Sequence, residues 1–359
     1  MEQKKTPTIT AVTVTYMARW HFLSRLVDRV LGDAHVERLV IVSNASADID
    51  KIRASRDAHP DRITLIELEL NYGSAAAFPM ALQEAGRGTS EYCLLLDDDN
   101  VPEPGFGDIF AQNLDLFIAK EERQKIVLLG NRHKLSHSQD IFTSLPFKNH
   151  DYVNSFFTVF SWKKVRNFLG ILFATKGRSG GHNFPFLPIT VSESFAYGGT
   201  LLPMEAVRHA DFPDQRLFTY GDDIVYSWNV KNLGYRTYVC ARPLIEDIDI
   251  SLEGEYHFLA FFKESTHDFK VFFKIRNSAF LSMKYSKHPV VTFVSTYIWL
   301  IGLCLIAVCR LGFGAVVFRR MGLAFAAAWR GIKGNLELPS NIKMPDNAGL
   351  SPVLSTKKG

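Results

Sequence analysis

Short apolar runs alternate with helix-patterned runs from Thr8 to Gly130, and this alternation constrains the fold more than anything else in the sequence. Thr8–Val14, Arg38–Ser43, Ile63–Leu68, Tyr92–Leu96 and Ile126–Gly130 read as strands, while Arg19–Leu31, Ala47–Asp57 and Ser74–Ala85 read as helices. Strand and helix in alternation imply an α/β fold, with a mostly parallel central sheet flanked by helices on both faces. Ligands of such sheets bind outside the carboxyl ends of the strands. Asn44 and Asp97 follow the second and fourth strands there.

The chain has 359 residues, enough for one large α/β domain and an appendage. A formal net charge of +4 makes no case for nucleic acid and is compatible with a nucleotide or an anionic membrane surface. Cys93, Cys240, Cys304 and Cys309 form no C-x-x-C pair, and two of them lie in apolar runs. The polar start, MEQKKTPTIT, lacks the apolar stretch of a signal peptide, so a reducing, cytoplasmic setting is expected.

Regularity lapses over 142–189, a glycine-, proline- and lysine-containing insertion read as a mobile loop or a plain surface excursion. It returns at Phe195–Leu202, at a helix over Asp222–Leu233 that Gly234 stops, and at a strand over Tyr235–Ala241. Residues 1–245 are therefore expected to form the catalytic domain and 246–288 an aromatic-rich helical connection. Val290–Cys309 carries no charge and is long enough to span a bilayer. Both of its flanks are basic, which suits a span, a hairpin or an in-plane helix alike. The segment Met321–Trp329 is too short to cross alone. Residues 289–333 are expected to associate with a membrane, and 334–359 to form a loose tail.

The sharpest local feature is YCLLLDDDNVPEP, Tyr92–Pro104, in which a strand delivers Asp97, Asp98 and Asp99 to its carboxyl end. Adjacent carboxylates repel, and a divalent cation sharing coordination with a diphosphate relieves that repulsion with hard oxygen ligands. Side chains alternate along a strand, so Asp97 and Asp99 can act together while Asp98 points elsewhere. Gly221-Asp222-Asp223 opens the later helix. An aspartate there is a favoured cap, and the second one can serve as a general base. Thr15, Tyr16, Asn44 and Asn71-Tyr72-Gly73 end strands on the expected ligand side.

Taken in order, VTVTYMAR, IVSNASAD, NYGSAAAFPMAL, LLLDDDNVPEPG, FAYGGTLLPMEAV and TYGDDIVYSWNVKNLGY resemble inverting glycosyltransferase family 2, of GT-A fold. The resemblance implies a Mn²⁺- or Mg²⁺-dependent enzyme. Asp97 and Asp98 would contact the nucleotide, Asp97 and Asp99 would hold the metal, and Asp223, rather than Asp222, would be the base. Thr15, Tyr16, Asn44 and Asn71 would meet the nucleobase or ribose. Ser43 stands where an aspartate is usual. The family's downstream metal histidine has His257 as its counterpart, with Glu246, Asp247 and Asp249 as alternatives. No Q-x-x-R-W motif of processive synthases is present, so one or few additions are expected. KVFFKIRNSAFLSMKYSKHP is similar to bacterial rhamnosyl- and galactofuranosyltransferases of cell-surface polysaccharide assembly. This implies a UDP- or dTDP-linked donor, a lipid-linked glycan acceptor and the cytoplasmic face of the membrane. Transfer to polyprenyl phosphate, or a non-catalytic nucleotide-binding scaffold, are the competing expectations.

Overall fold

The computed structural model describes residues 7–132, 155–156, 160–161, 188–249, 261–262, 266–340, 342–344 and 347–349. The early alternation appears as β1 (Ile9–Met17), α1 (Trp20–Leu31), β2 (Val36–Ser46), α2 (Ile49–Ala58), β3 (Ile63–Leu68), α3 (Ser74–Gly86) and β4 (Tyr92–Asp97). Then come β5 (Asn100–Pro102), α4 (Phe106–Phe117), β6 (Ile126–Arg132) and the two-residue strands β7 (Ser155–Phe156) and β8 (Phe160–Ser161). β9 (Ile189–Ser192), β10 (Thr200–Pro203), α5 (Met204–His209), α6 (Asp222–Asn232) and β11 (Arg236–Asp247) complete the sheet. Three helices follow: α7 (Asp268–Lys284), α8 (Pro289–Leu311) and α9 (Ala315–Ile332).

The sheet runs β3-β2-β1-β4-β10-β6-β11-β5, with β9 also on β11. β1, β2, β3 and β4 are mutually parallel, as are β6 and β11. β10 enters antiparallel between β4 and β6. The register sets Val14 beside Asp97 and Thr15 beside Ser43, so the carboxyl ends of β1, β2 and β4 finish together. β5 folds straight back from β4 and pairs antiparallel with the end of β11, which brings Asp247 to Asn100.

Alternating side chains feed two cores, one on each face. Leu23, Leu26, Val27 and Val30 of α1, with Phe106 and Phe110 of α4, cover Ala11, Leu39, Ile41, Leu94 and Leu96. On the other face Ala77, Phe78, Ala81 and Leu82 of α3, with Tyr226 and Val230 of α6, cover Val12, Val40, Val42, Cys93 and Leu95. Each fully buried Leu or Val side chain contributes about 1.5–3 kcal/mol.

The structure refines three readings of the sequence. Of the Phe195–Leu202 stretch only Thr200–Leu202 is strand, which runs on to Pro203; Phe195–Gly199 is neither strand nor helix. The apolar Met321–Trp329 segment lies within the longer helix α9, whose Arg320 is buried with its guanidinium 2.9 Å from Asp268. The tail expected to be loose from 334 is held where it is described: Leu336 and Ile342 are buried, and Asn71 pairs with Ala348 as an isolated parallel bridge. Most of the 142–189 insertion lies outside the described residues.

The three C-terminal helices share a core of Phe272, Phe273, Ile275, Leu300, Leu303, Ala324, Ala327 and Ala328. α8 is long and apolar enough to cross a membrane by length and composition. It buries Thr292, Ser295, Trp299, Leu303 and Ala307 along one side and exposes Val290, Val294, Ile298, Ile301 and Leu305 along the other.

Candidate active site

The three aspartates leave β4 in different directions. Asp98 turns back under β1, where the Thr15 hydroxyl donates to its Oδ2 at 2.7 Å and Arg19 Nε donates to both its oxygens at 2.9 and 3.0 Å. The same guanidinium donates from Nη2 to Asp99 Oδ2 at 2.9 Å and from Nη1 to Asp249 Oδ2 at 2.8 Å. One cation from the start of α1 thus serves three carboxylates, the kind of fork that arginine's planar geometry suits. Burial pushes the Asp98 carboxyl up to about 6 against the pull of Arg19 and Thr15. Burial raises Asp99 as well, and Arg19 again opposes.

Asp97 has no hydrogen bond to the Arg19 guanidinium; its charged neighbours are Arg132, Asp98, Asp99 and Asp223. Burial pushes it up to about 7; Arg132 opposes, and Asp99, Asp98 and Asp223 add to the rise. Arg132 itself grips Asp247 at 2.6 and 3.2 Å, and Asn100 Nδ2 donates to that same carboxylate at 2.5 Å. Gly198 closes the floor. A Cβ there would lie 2.1 Å from Asn100 Oδ1 and 3.0 Å from Asp97 Oδ2, so only glycine fits.

Asp222 and Asp223 open α6 behind the left-handed Gly221, where the helix dipole favours negative charge. Asp222 is buried, and its Oδ2 has no hydrogen-bond partner among the described residues. Burial raises its pKa, and Asp223 adds to the effect. Asp223 is the more open of the pair and accepts the Ile224 N–H at 2.8 Å. Burial raises it too, with that N–H, Lys274 and Arg132 opposing. The Lys274 ammonium is held down by burial, with Asp223 pulling it back up. The loop before Gly221 is strained: Phe218 and Tyr220 both have positive φ, and the Thr219 N–H donates to the Leu217 carbonyl at 2.7 Å, closing a γ-turn of the rare hand. Such backbone costs of order 1–3 kcal/mol per residue and persists only where surroundings enforce it.

Asn44 and Asn71 hold each other. Asn44 Nδ2 donates to Asn71 Oδ1 at 2.9 Å, and their oxygens accept the N–H groups of Tyr72 and Gly73. They shape the turn into α3, and Gly73 (φ 75°) lets it press on Phe218. Thr15 is likewise engaged with Asp98, whereas Tyr16 is 38% exposed at the cleft edge. The structure therefore gathers Thr15, Tyr16, Asp97, Asp98, Asp99, Asp222 and Asp223 at one end of the sheet, with Asn44 and Asn71 behind them. His257 lies outside the described residues.

Arg19, Arg132 and Lys274 went unnoticed in the sequence as site residues. A cation directly after the first strand, opposite three consecutive carboxylates, was the available signal for Arg19. Among the described residues no group of three or more His, Cys, Asp or Glu side chains is set to hold a metal ion. By donor type the site still fits a hard divalent cation: Asp97 is an under-neutralised carboxylate and Asp99 stands beside it. Asp99 Oδ2 is shared with Arg19, and its Oδ1 accepts from Asn100 at 3.2 Å, so each oxygen keeps a lone pair.

Residues 10–112 match the family model for Glycosyl transferase family 2. The sequence matches none of the curated proteins. Among solved structures, S. aureus TarS 1-349 in complex with UDP-GlcNAc aligns at TM-score 0.51 and 11% identity, covering 92% of this chain and 82% of that one. The mannosyltransferase PcManGT from Pyrobaculum calidifontis, in complex with GDP-Man and Mn²⁺, aligns at TM-score 0.49 and 13% identity, covering 92% and 88%. GalNAc-T7 with UDP, GalNAc and Mn²⁺ aligns at TM-score 0.46 and 12% identity; the match covers 68% of this chain but only 44% of that one. At such identities the TarS likeness is one of fold. Residues 10–112 are thus similar to glycosyl transferase family 2, within an α/β fold like that of TarS.

Proposed function

We propose that the chain is an inverting glycosyltransferase that moves one sugar, galactofuranose or rhamnose, from a UDP- or dTDP-linked donor to a hydroxyl of a lipid-linked glycan. The observation that carries this reading is the meeting of Asp97 and Asp223. They come from acidic motifs far apart in sequence, yet they lie near enough at the carboxyl ends of the strands for Asp223 to add to the rise of the Asp97 pKa. The family match over residues 10–112 supports sugar transfer, and the resemblance of the C-terminal segment suggests the donor and acceptor classes.

In this reading Asp97 and Asp99 would hold Mn²⁺ or Mg²⁺, which would supply positive charge beside the nucleotide diphosphate. Tyr16 lines the nucleotide edge, and the Asn44–Asn71 pair keeps the 71–73 turn in shape beneath it. Arg19 fixes Asp98 and Asp99 against each other's repulsion. Asp223 takes the proton of the acceptor hydroxyl as its oxygen attacks the anomeric carbon from the face opposite the leaving group. A carboxylate whose pKa burial has raised is a stronger base than a solvated one, and Lys274 and Arg132 oppose that rise and favour its charged form.

The acceptor class places the enzyme at a bilayer. α8 packs on the protein along its whole length, so its exposed apolar side is suited to lie in the plane of one leaflet, with Lys284, Lys287, Arg310 and Arg319 at the headgroups.

The test is transfer from UDP-galactofuranose or dTDP-rhamnose to a polyprenyl-diphosphate-linked glycan with Mn²⁺ or Mg²⁺, reading the product's anomeric configuration by NMR. Inverted product supports the reading. Retained configuration, or no transfer from any nucleotide sugar, overturns it.

A further inference from the structure

α7 reaches into the catalytic half through two adjacent side chains, Arg276 and Asn277, both fully buried. The Asn277 amide donates to the carbonyls of Leu217, Thr219 and Tyr220 at 2.9, 2.7 and 3.0 Å. Arg276 donates from Nη2 to the carbonyls of Arg216 and Leu217 at 2.7 and 3.3 Å, and from Nη1 to that of Leu336 at 2.6 Å. Its Nε donates to Asn277 Oδ1 at 2.8 Å, which turns the amide so that its NH₂ faces the loop. The two remaining carbonyls are taken as well: Ala75 N–H donates to Phe218 at 3.1 Å and Val225 N–H to Gly221 at 3.0 Å. Every carbonyl from Arg216 to Gly221 therefore has a donor, and most of the donors come from α7.

This is the loop that carries positive φ at Phe218, Tyr220 and Gly221 immediately before the acidic pair. Backbone of that kind relaxes when its outside partners are removed. A relaxed loop would shift the start of α6, and Asp222 and Asp223 are the first two residues of that helix. We propose that Arg276 and Asn277 are positioning residues for the Asp222–Asp223 pair, locking the left-handed loop Leu217–Gly221 in the shape that aims Asp223 into the cleft. α7 also packs against α8 and α9 in the apolar core. The helices expected at the membrane thus hold the acidic pair through this contact. The inference rests on the reading of Asp223 as the proton acceptor.

The test uses the full-length chain with Asn277→Asp, which keeps the shape but replaces the donors by acceptors. Asn277→Ser, a milder loss, serves if the first variant does not fold. Amide exchange is read by mass spectrometry over residues 215–225, beside kcat and donor KM. Exchange there should rise about tenfold, the effect of losing about one net hydrogen bond. kcat should fall on the order of 10–100-fold, as for a displaced reacting group, with donor KM little changed. In an Asp223→Asn background the same substitution should lower kcat no further, because both act on one step. Unchanged exchange over 215–225 would overturn the proposal, as would a kcat loss that multiplies with that of Asp223→Asn. Faster exchange with unchanged kcat would also overturn the positioning role, and the Asp223→Asn variant alone would then report whether Asp223 acts in the chemistry. A wild-type chain inactive with every donor would instead refute the transferase reading, and the exchange data would still report whether the pair holds the loop.

Discussion

Replacing Arg19 by methionine keeps a long, flexible side chain but removes the cation that Asp98, Asp99 and Asp249 share. Four hydrogen bonds go with it, two to Asp98 and one each to Asp99 and Asp249. The guanidinium is only 16% exposed and Asp98 5%, so solvent screens the loss weakly. Breaking a buried ion pair from one side costs about 3–5 kcal/mol. At about 2 °C per kcal/mol for a large domain, the metal-free variant should melt about 6–10 °C below wild type at pH 7.5. The deficit should depend on pH with a definite sign. In wild type the Asp98 pKa, about 6, already exceeds that of an unfolded carboxyl, so its ionisation weakens the fold as pH rises between the two values. Without Arg19 the native pKa rises further and the loss at neutral pH grows. The gap between variant and wild type should therefore narrow as pH falls from 7.5 to 5.5. Thermal melts of the purified chain at both pH values, with chelator present, measure it. A deficit below about 1 kcal/mol at pH 7.5, or one that widens on acidification, refutes the idea that Arg19 neutralises the triplet.

Asp97→Asn should flatten part of the pH dependence of wild-type stability. A carboxyl raised to about 7 costs the fold up to about 4 kcal/mol by pH 8, a cost that builds as pH rises from the unfolded value near 4, so on going from pH 8 to 5.5 wild type should regain about 2 kcal/mol that the variant does not. In melts at the two pH values, an unchanged slope in Asp97→Asn would contradict the assignment. Gly198→Ala should cost about 1–3 kcal/mol and most of the activity, because its methyl must displace Asn100 or Asp97; a fully active, equally stable variant counts against the cradle. Ile298→Glu with Leu305→Glu should abolish flotation with anionic vesicles while leaving the melting temperature near wild type. Retained flotation would show that another surface meets the bilayer.

The first half of the fold was legible because each strand and helix there carries its own period. β1 to β4 and α1 to α3 fall where apolar spacing changes from two to about three and a half, and parallel pairing follows from the connections. β10 was legible only as part of a longer stretch, and β5 was not legible. They have four and three residues, and their antiparallel places depend on partners distant in sequence. For the same reason the triplet was legible as an acidic site while its wiring was not. Asp97 and Asp98 differ by one position, yet one opposes Asp223 and the other is locked by Arg19 and Thr15. Pattern reading weighs residues along one segment, whereas Arg19, Arg132 and Lys274 enter from three separate elements. The Arg276-Asn277 pair was visible as a dipeptide, but its carbonyl partners lie in a loop with no local signal of its left-handed shape.

The most direct test of the central claim compares Asp223→Asn with wild type for transfer of the sugar, alongside titration of the free nucleotide diphosphate with Mn²⁺. The account predicts that nucleotide affinity holds while kcat falls by about 10²–10⁴-fold, the usual contribution of a general base. Transfer by Asp223→Asn at the wild-type rate would contradict it and point to an acceptor that arrives already ionised, such as a polyprenyl phosphate.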